Sequence, residues 1–288
     1  MPQLIVNADD FGFSPATNVG IIEAHQKGIV TSTTVMINLD YAAEGLEQLL
    51  EQAPTIGIGL HINLSQGKPI ALPSQVSSLV DDDGYFYDIE KWLAHVMSFG
   101  AEDFYTEIEA QINRFVSLTG RVPTHLDSHY HLAFLHPFAL EATIKLAHQF
   151  GNLPLRQVMD VSQDDASLLH QASQLLPNMD QDWLKGLIDM LKTILSEADP
   201  PPYMPARLET GFSGKNITLG DLLTLLVLVD EERPTELMCH PAQFNDPLNS
   251  APAARAQELA VLTHPTTREV IERYNIQLIH FGDLKAKG

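Results

Sequence analysis

Histidines are concentrated in one short part of the sequence. Four of the twelve, His125, His129, His131 and His136, fall between residues 125 and 136, where even spreading would place about half of one. From His125 to His131 a histidine or an aspartate, Asp127, occupies every second position. An extended chain points alternate side chains to one face, and such a face is costly to bury unless its groups are partnered. The segment therefore predicts a metal site, with a polar strand face beside solvent as the alternative.

Other residues able to do chemistry lie in or at the ends of apolar segments. Asp9 and Asp10 follow Leu4-Ile5-Val6, His61 lies in an apolar run, and His240 ends another one just before a proline. The carboxyl ends of barrel strands are where such enzymes place their catalytic groups. The alternatives are a turn with an Asx cap for the two aspartates and a satisfied core residue for His61.

The residue types restrict the metal. Two imidazoles and one carboxylate suit zinc, manganese or another divalent transition ion and leave positions open for water and substrate. Cys239 is the only cysteine, which excludes a thiolate zinc site. Strand alternation points Cys239 away from His240, so we expect it to be a small buried residue and not a nucleophile. The remaining histidines and aspartate of residues 125–131 are expected to orient the ligands or to contact substrate. His240 suits a general acid near neutral pH, and Arg156 either pairs with the aspartates or is an ordinary surface arginine.

The elements that must position these residues follow from the hydrophobic pattern. Apolar β-branched runs alternate with segments of helical period, which predicts a parallel sheet with crossover helices. The predicted strands are 4–9, 29–38, 56–64, 123–129, 154–161, 236–240 and 276–281. The first helix begins with Ser14 as its N-cap and Pro15 at its first position and ends at Gly28; further helices are predicted at about 41–52, 104–118, 137–150, 182–197, 219–229 and 252–262.

Seven such strands predict an α/β fold, namely an irregular or incomplete barrel related to the (β/α)8 type. We expect residues 1–288 to form one domain with a long insertion at about 66–100, a loop of the kind that often overlies a barrel site. A doubly wound open sheet is the alternative.

Composition excludes several classes of function. The chain has 288 residues, with 37 Asp and Glu against 17 Lys and Arg, a formal charge of −20. Nucleic acids and anionic membrane surfaces are bound by clustered basic residues, so neither is an expected partner. The first residues lack the apolar core of a signal peptide, and no stretch reaches the ~20 apolar residues of a membrane helix. We therefore expect a cytoplasmic protein without disulfides, with a homodimer as a candidate assembly.

Five motifs in order resemble the YdjC-like carbohydrate deacetylases, a family that includes chitooligosaccharide deacetylases. They occupy residues 6–12 (VNADDFG), 28–34 (GIVTSTT), 59–61 (GLH), 124–129 (THLDSH) and 238–241 (MCHP). The resemblance implies a deformed (β/α) barrel of the glycoside hydrolase and deacetylase type, and a hydrolase that uses metal-activated water to remove acetyl groups from N-acetylated sugars.

Carried over by position, the resemblance assigns roles to five residues. Asp10, His61 and His129 match the metal ligands, Asp9 the general base and His240 the general acid. The family is usually assigned magnesium, whereas the donor types favour zinc or manganese.

This sequence departs from the family after the fourth motif. Tyr130 and Ala133 stand where histidine is frequent, which puts simple chitobiose recognition in doubt. Two other functions are considered: a metal-dependent phosphoesterase, disfavoured because few basic residues lie near the motifs, and a carbohydrate-binding protein of the same fold that has lost catalysis.

Overall fold

A parallel sheet of seven strands forms the centre of the part of the chain that the structure describes. This structure is a computed structural model, and it describes residues 1–160, 163–176, 179–212 and 217–284. The strands are β1 Gln3–Phe11, β2 Ser32–Val35, β3 Gly57–Ile62, β4 Leu126–Ser128, β5 Arg207–Glu209, β6 Thr235–Cys239 and β7 Gln277–Leu278.

The order of the strands makes the sheet a half-barrel. Neighbours run β4-β3-β2-β1-β6-β5, and β7 pairs with the first residues of β1. All of these pairings are parallel, so the strands' carboxyl ends meet at one edge. Because β4 and β5 end the order without pairing to each other, the barrel is incomplete, and the predicted fold class is confirmed.

Helices connect the strands. They are α1 Pro15–Lys27, α2 Ala42–Gln52, α3 Ile89–His95, α4 Ala101–Thr119, α5 Leu132–Leu135, α6 Pro137–Gln149, α7 Asp165–Leu175, α8 Gln181–Glu197, α9 Leu219–Val227, α10 Pro252–Leu262 and α11 Pro265–Arg273. The predicted start of α1 is confirmed: Ser14 Oγ accepts a hydrogen bond from Thr17 N at 3.0 Å. Each of the seven predicted helices is present within a few residues of its expected ends, while α3, α5, α7 and α11 were not predicted.

One predicted strand was wrong. Residues 154–160 form no regular strand, and position 161 lies outside the described residues. Leu155 makes only an isolated parallel bridge to Leu126, and its own N–H donates to Tyr203 O on the other side. The sheet still has seven strands because β5, which was not predicted, takes part in it. The three residues of β5, Arg-Leu-Glu, are at least partly exposed and carry no apolar pattern.

Burial follows the hydrophobic pattern where that pattern is strong. Eight of the nine residues of β1 are buried, and all of β3 is, as expected for strands covered on both faces. Four predicted strands are longer than the strands that form, namely 29–38, 56–64, 123–129 and 276–281. After β4 and shortly after β7 the chain enters 3-10 helices, at His129–His131 and Phe281–Asp283.

Residues 66–100 contain a 3-10 turn at Pro73–Gln75 and the helix α3. The start of this segment is tied to the carboxyl ends of two strands: Asn38, after β2, donates to Gln66 O at 2.9 Å, and Asn63, after β3, donates to the same oxygen at 2.8 Å. Within the described ranges, no helix combines the length and apolar character required to cross a membrane.

Candidate functional site

The two adjacent aspartates at the end of β1 both contact groups inside the half-barrel. Asp10 has a left-handed φ of 67°, and the pairing of β1 with β2 shifts register between Ala8 and Phe11. The chain therefore turns at Asp10 itself, which allows both carboxylates to reach one site although they are neighbours in a strand. A non-glycine residue in this conformation costs roughly 1–2 kcal/mol, which the surrounding contacts must offset.

Asp10, His61 and His129 converge on one point. Asp10 Oδ1 lies 3.3 Å from His61 Nε2 and 3.0 Å from His129 Nδ1. The three side chains are buried, and each offers one ligand atom within 4.8 Å of the others. Among the described residues, Oδ1 has no well-aligned hydrogen-bond partner and neither has His129 Nε2. This is the arrangement expected of side chains aimed at a shared cation, so the three residues fit a divalent metal.

His61 is oriented by a second carboxylate. Its Nδ1 lies 2.7 Å from Asp127 Oδ1, and Thr34 Oγ1 donates to the other Asp127 oxygen at 2.9 Å. A carboxylate behind a ligating imidazole fixes the ring and its tautomer. Burial lowers the pKa of His61, but the carboxylates of Asp127 and Asp10 outweigh it and raise that pKa to about 10.

Arg156 lies at the centre of the carboxylate cluster. It is fully buried, donates to both oxygens of Asp9 at 2.6 and 2.7 Å, and lies 2.7 Å from Glu236 and 3.0 Å from Asp127. The pairing with Asp9 is thus present, and the surface-arginine alternative was wrong.

The arginine sets the charge state of its neighbours. Burial would raise the pKa of Asp9, yet the Arg156 guanidinium holds that pKa well below its usual range. Burial raises the pKa of Glu236 to about 7 in spite of Arg156. Asp9, His61 and Asp127 are also close enough to hold a metal, but a cation there would face Arg156, so the group around Asp10 fits one better.

His240 lies beside Asp9 at the mouth of the site. Its Nε2 is 4.0 Å from Asp9 Oδ2, and its side chain is 22% exposed. Its backbone N–H donates to the buried carboxylate of Glu258 on α10. Burial lowers the pKa of His240, with Asp10 and Asp9 opposing. Cys239 points the other way, as predicted, and is buried with its Sγ 3.3 Å from Asn7 O.

The predicted shared face from His125 to His131 is only partly present. The strand ends at Ser128, and residues His129–His131 form a 3-10 turn in which Tyr130 and His131 have φ of 51° and 60°. The alternation therefore stops before His131, and the structure does not place this residue in the metal-competent group. Burial lowers the pKa of His131 to about 3.

His125 and His136 pack away from the metal-competent group. The His125 ring stacks on Phe281 at 3.7 Å between centroids, and burial holds its pKa well below the usual range. His136 contacts Val96 O through Nε2 at 3.0 Å. Neither belongs to the residues that could hold an ion.

The sequence analysis missed several contributors to the site: Thr34, Glu236 and Glu258, described above, and also Asn7 and Arg255. Asn7 donates to Asp9 Oδ1 at 2.8 Å, and its position two residues before Asp9 on an apolar strand was a usable signal. Arg255, on α10, lies 2.6 Å from Asp10 Oδ2. Arg255 is 245 positions from Asp10 in the sequence and lies on a helix with no distinguishing motif, so no local sequence signal could have identified it.

Comparison with known proteins gives a consistent result. The sequence profile of the family described as YdjC-like protein matches residues 3–273. A carbohydrate deacetylase of Thermoanaerobacter pseudethanolicus is 34% identical, with 99% of this chain and 100% of the relative covered. A chitooligosaccharide deacetylase of Yersinia enterocolitica is 33% identical over 97% of this chain and 98% of its own length.

A solved structure has the same fold throughout. The crystal structure of a protein from Enterococcus faecalis, provisionally named a cellobiose-phosphate cleavage protein, is 32% identical and superposes with a TM-score of 0.81, covering 99% of each chain.

Proposed function

Because the chain belongs to the YdjC-like protein family, we propose that it is a metal-dependent carbohydrate deacetylase, a hydrolase that removes acetyl groups from N-acetylated sugars. The observation that carries the proposal is the convergence of Asp10, His61 and His129, with Asp10 Oδ1 facing both imidazoles and hydrogen-bonded to neither. The names of the relatives, carbohydrate deacetylase and chitooligosaccharide deacetylase, support the substrate class.

We assign Asp10, His61 and His129 as the residues that hold a divalent ion. Such an ion lowers the pKa of water and polarises a carbonyl oxygen, which is the chemistry that amide hydrolysis needs. The donor set of one carboxylate and two imidazoles favours zinc or manganese, whereas the family resemblance implies magnesium.

The chain's own residues supply the proton transfers. Asp9 is the general base, and Arg156 keeps it ionised and fixes both of its oxygens. His240 is the general acid that protonates the leaving amine. The 4.0 Å between His240 Nε2 and Asp9 Oδ2 lets a small shift bring the two into hydrogen-bond contact, so the proton taken up by Asp9 has a short route to the leaving group.

The phosphoesterase alternative has to be weighed again, because two arginines that are distant from the motifs in sequence lie in the site. Both are already neutralised: Arg156 contacts three carboxylates and Arg255 contacts Asp10. Cations paired in this way leave little net charge to hold a phosphate, so the deacetylase remains the better supported function. The presence of both an acid and a base argues against a pure binding protein.

The neighbouring aspartates provide a sharp test. Purified protein is analysed for bound metal and assayed for acetate release from N-acetylglucosamine oligomers. We expect Asp10→Asn to lose metal and activity together, and Asp9→Asn to keep metal while acetate release falls by about 10²–10⁴-fold. Wild-type protein that binds a divalent ion but releases no acetate, while sugar raises its melting temperature, would support the binding protein instead. Full activity in Asp10→Asn would refute the assignment.

A further inference from the structure

Arg255 makes a close contact with the carboxylate proposed to bind metal. It extends from α10, and its Nη2 donates to Asp10 Oδ2 at 2.6 Å. Its side chain is 17% exposed and that of Asp10 is 2% exposed, so the pair is shielded from water. Burial would raise the pKa of Asp10, but Arg255 and His129 lower it well below its usual range.

The contact with Arg255 leaves the two Asp10 oxygens in different surroundings. Oδ2 is taken up by the arginine, while Oδ1 is the oxygen that faces His61 and His129. The aspartate is therefore turned so that one oxygen points into the metal-competent group and the other away from it.

The arginine is itself held in place by two further contacts. Its backbone oxygen accepts from Ala242 N at 3.3 Å, in the segment that follows His240. Its guanidinium carbon lies 5.7 Å from the centre of the Phe13 ring. On the same helix, Glu258 accepts a hydrogen bond from the backbone N–H of His240. One helix thus fixes both the carboxylate and the strand end that carries the proposed acid.

We infer that Arg255 is a positioning residue that confines Asp10 to a single metal-binding oxygen and so selects against large cations. Calcium takes six to eight oxygens and commonly accepts both oxygens of a carboxylate. Zinc is satisfied by four donors with nitrogen among them, and manganese is a smaller ion than calcium. With Oδ2 occupied, Asp10 cannot offer the two-oxygen mode that calcium favours. This inference rests on the metal site of the proposed function.

Metal binding without substrate tests the inference. Metal-free protein is titrated calorimetrically with Mn²⁺ and with Ca²⁺, and the absorption spectrum of the Co²⁺ form reports the number of ligands. In Arg255→Met we expect Mn²⁺ affinity to fall by about 10-fold, the lower end for loss of an outer partner, while Ca²⁺ affinity holds or rises and the Co²⁺ spectrum changes.

Arg255→Lys separates charge from contact, because lysine keeps the positive charge but is too short to bring an ammonium to the position of Nη2. We expect it to behave like the methionine variant. If lysine preserves the wild-type ratio of Mn²⁺ to Ca²⁺ affinity, only charge matters and the inference is wrong. Lysine also answers the question should the methionine variant fail to fold.

Arg268→Met is the matched control. Arg268 binds a backbone oxygen, Gly28 O, at 2.9 Å, so its loss should lower stability without moving the affinity ratio. An equal change of the ratio in this control would overturn the inference. If wild-type protein releases acetate but Arg255→Met keeps the wild-type ratio of Mn²⁺ to Ca²⁺ affinity, the inference is wrong and the proposed function stands. If Arg255→Met changes that ratio but wild-type protein releases no acetate, the inference stands and the proposed function is wrong.

Discussion

Glu107 offers a test of how the segment after β3 is held. This α4 carboxylate is fully buried and accepts hydrogen bonds from Ile70 N at 3.0 Å, Ala71 N at 2.9 Å and Gln111 Nε2 at 2.8 Å. Burial raises its pKa to about 7 against an ordinary 4.5, although the three hydrogen bonds oppose that rise. We expect Glu107→Gln to change how stability depends on pH.

The sign follows from proton linkage. A carboxylate whose pKa is raised by folding binds a proton more tightly in the folded chain than in the unfolded one. Its stabilising contribution is complete below about pH 4.5 and is lost as pH rises through about 7. A difference of 2.5 pKa units corresponds to about 3 kcal/mol, of which about 2.5 kcal/mol disappears between pH 5 and pH 8.

Urea denaturation at pH 5 and pH 8, at one fixed metal concentration, measures this loss. The glutamine amide faces two backbone N–H groups with only one oxygen, so the variant should lose about 1–3 kcal/mol of unfolding free energy at pH 5. That deficit should shrink by about 2.5 kcal/mol at pH 8, because the wild type alone loses the linked contribution. Glu51→Gln, at an exposed position of α2, is the control. Parallel pH profiles for the wild type and Glu107→Gln would refute the reasoning.

Three further predictions concern the site and its packing. Arg156→Met leaves buried carboxylates without their shared cation and should lower the free energy of unfolding by about 3–5 kcal/mol, measured by urea denaturation; a loss below 1 kcal/mol would contradict the buried network. His240→Gln should slow acetate release by about 10²–10⁴-fold with unchanged metal content, and loss of metal would count against its role as the acid. Gly59→Ala places a Cβ 2.4 Å from the His125 ring and should cost about 1–3 kcal/mol in thermal unfolding. Gly186→Ala is its control, since nothing lies within 4 Å of that position, and similar losses in both would disprove the clash.

Local patterns predicted the parts of the fold that depend on local physics. The continuous apolar runs of β1 and β3 and the Ser14-Pro15 start of α1 were sufficient, because burial on both faces and helix capping leave direct traces in sequence. The strand β5 has no such signal in its sequence. Its three residues are held by pairing with β6, so their extended form comes from a neighbour distant in sequence.

The same division applies to the site. Asp9 and Asp10 could be placed at the carboxyl edge of the sheet because they end an apolar run, whereas His61 and His129 were assigned to the same metal only through the family resemblance. The turn at Tyr130 and His131 could not be foreseen, since left-handed backbone is rare outside glycine and only the folded surroundings stabilise it. Arg156 was ambiguous because an isolated arginine has the same local sequence whether it lies on the surface or among carboxylates.

The charges of the site explain why these distant residues belong together. Asp9, Asp10, Asp127 and Glu236 carry four negative charges when ionised, and Arg156 and Arg255 return two positive ones. The two arginines offset part of this negative charge, and a divalent cation beside Asp10 would offset more of it. The two arginines do not compete for that place, since one binds the proposed base and the other turns the proposed metal ligand. Removing either arginine would leave a buried carboxylate without its partner, which is costly, so each arginine also stabilises the fold around the proposed metal site.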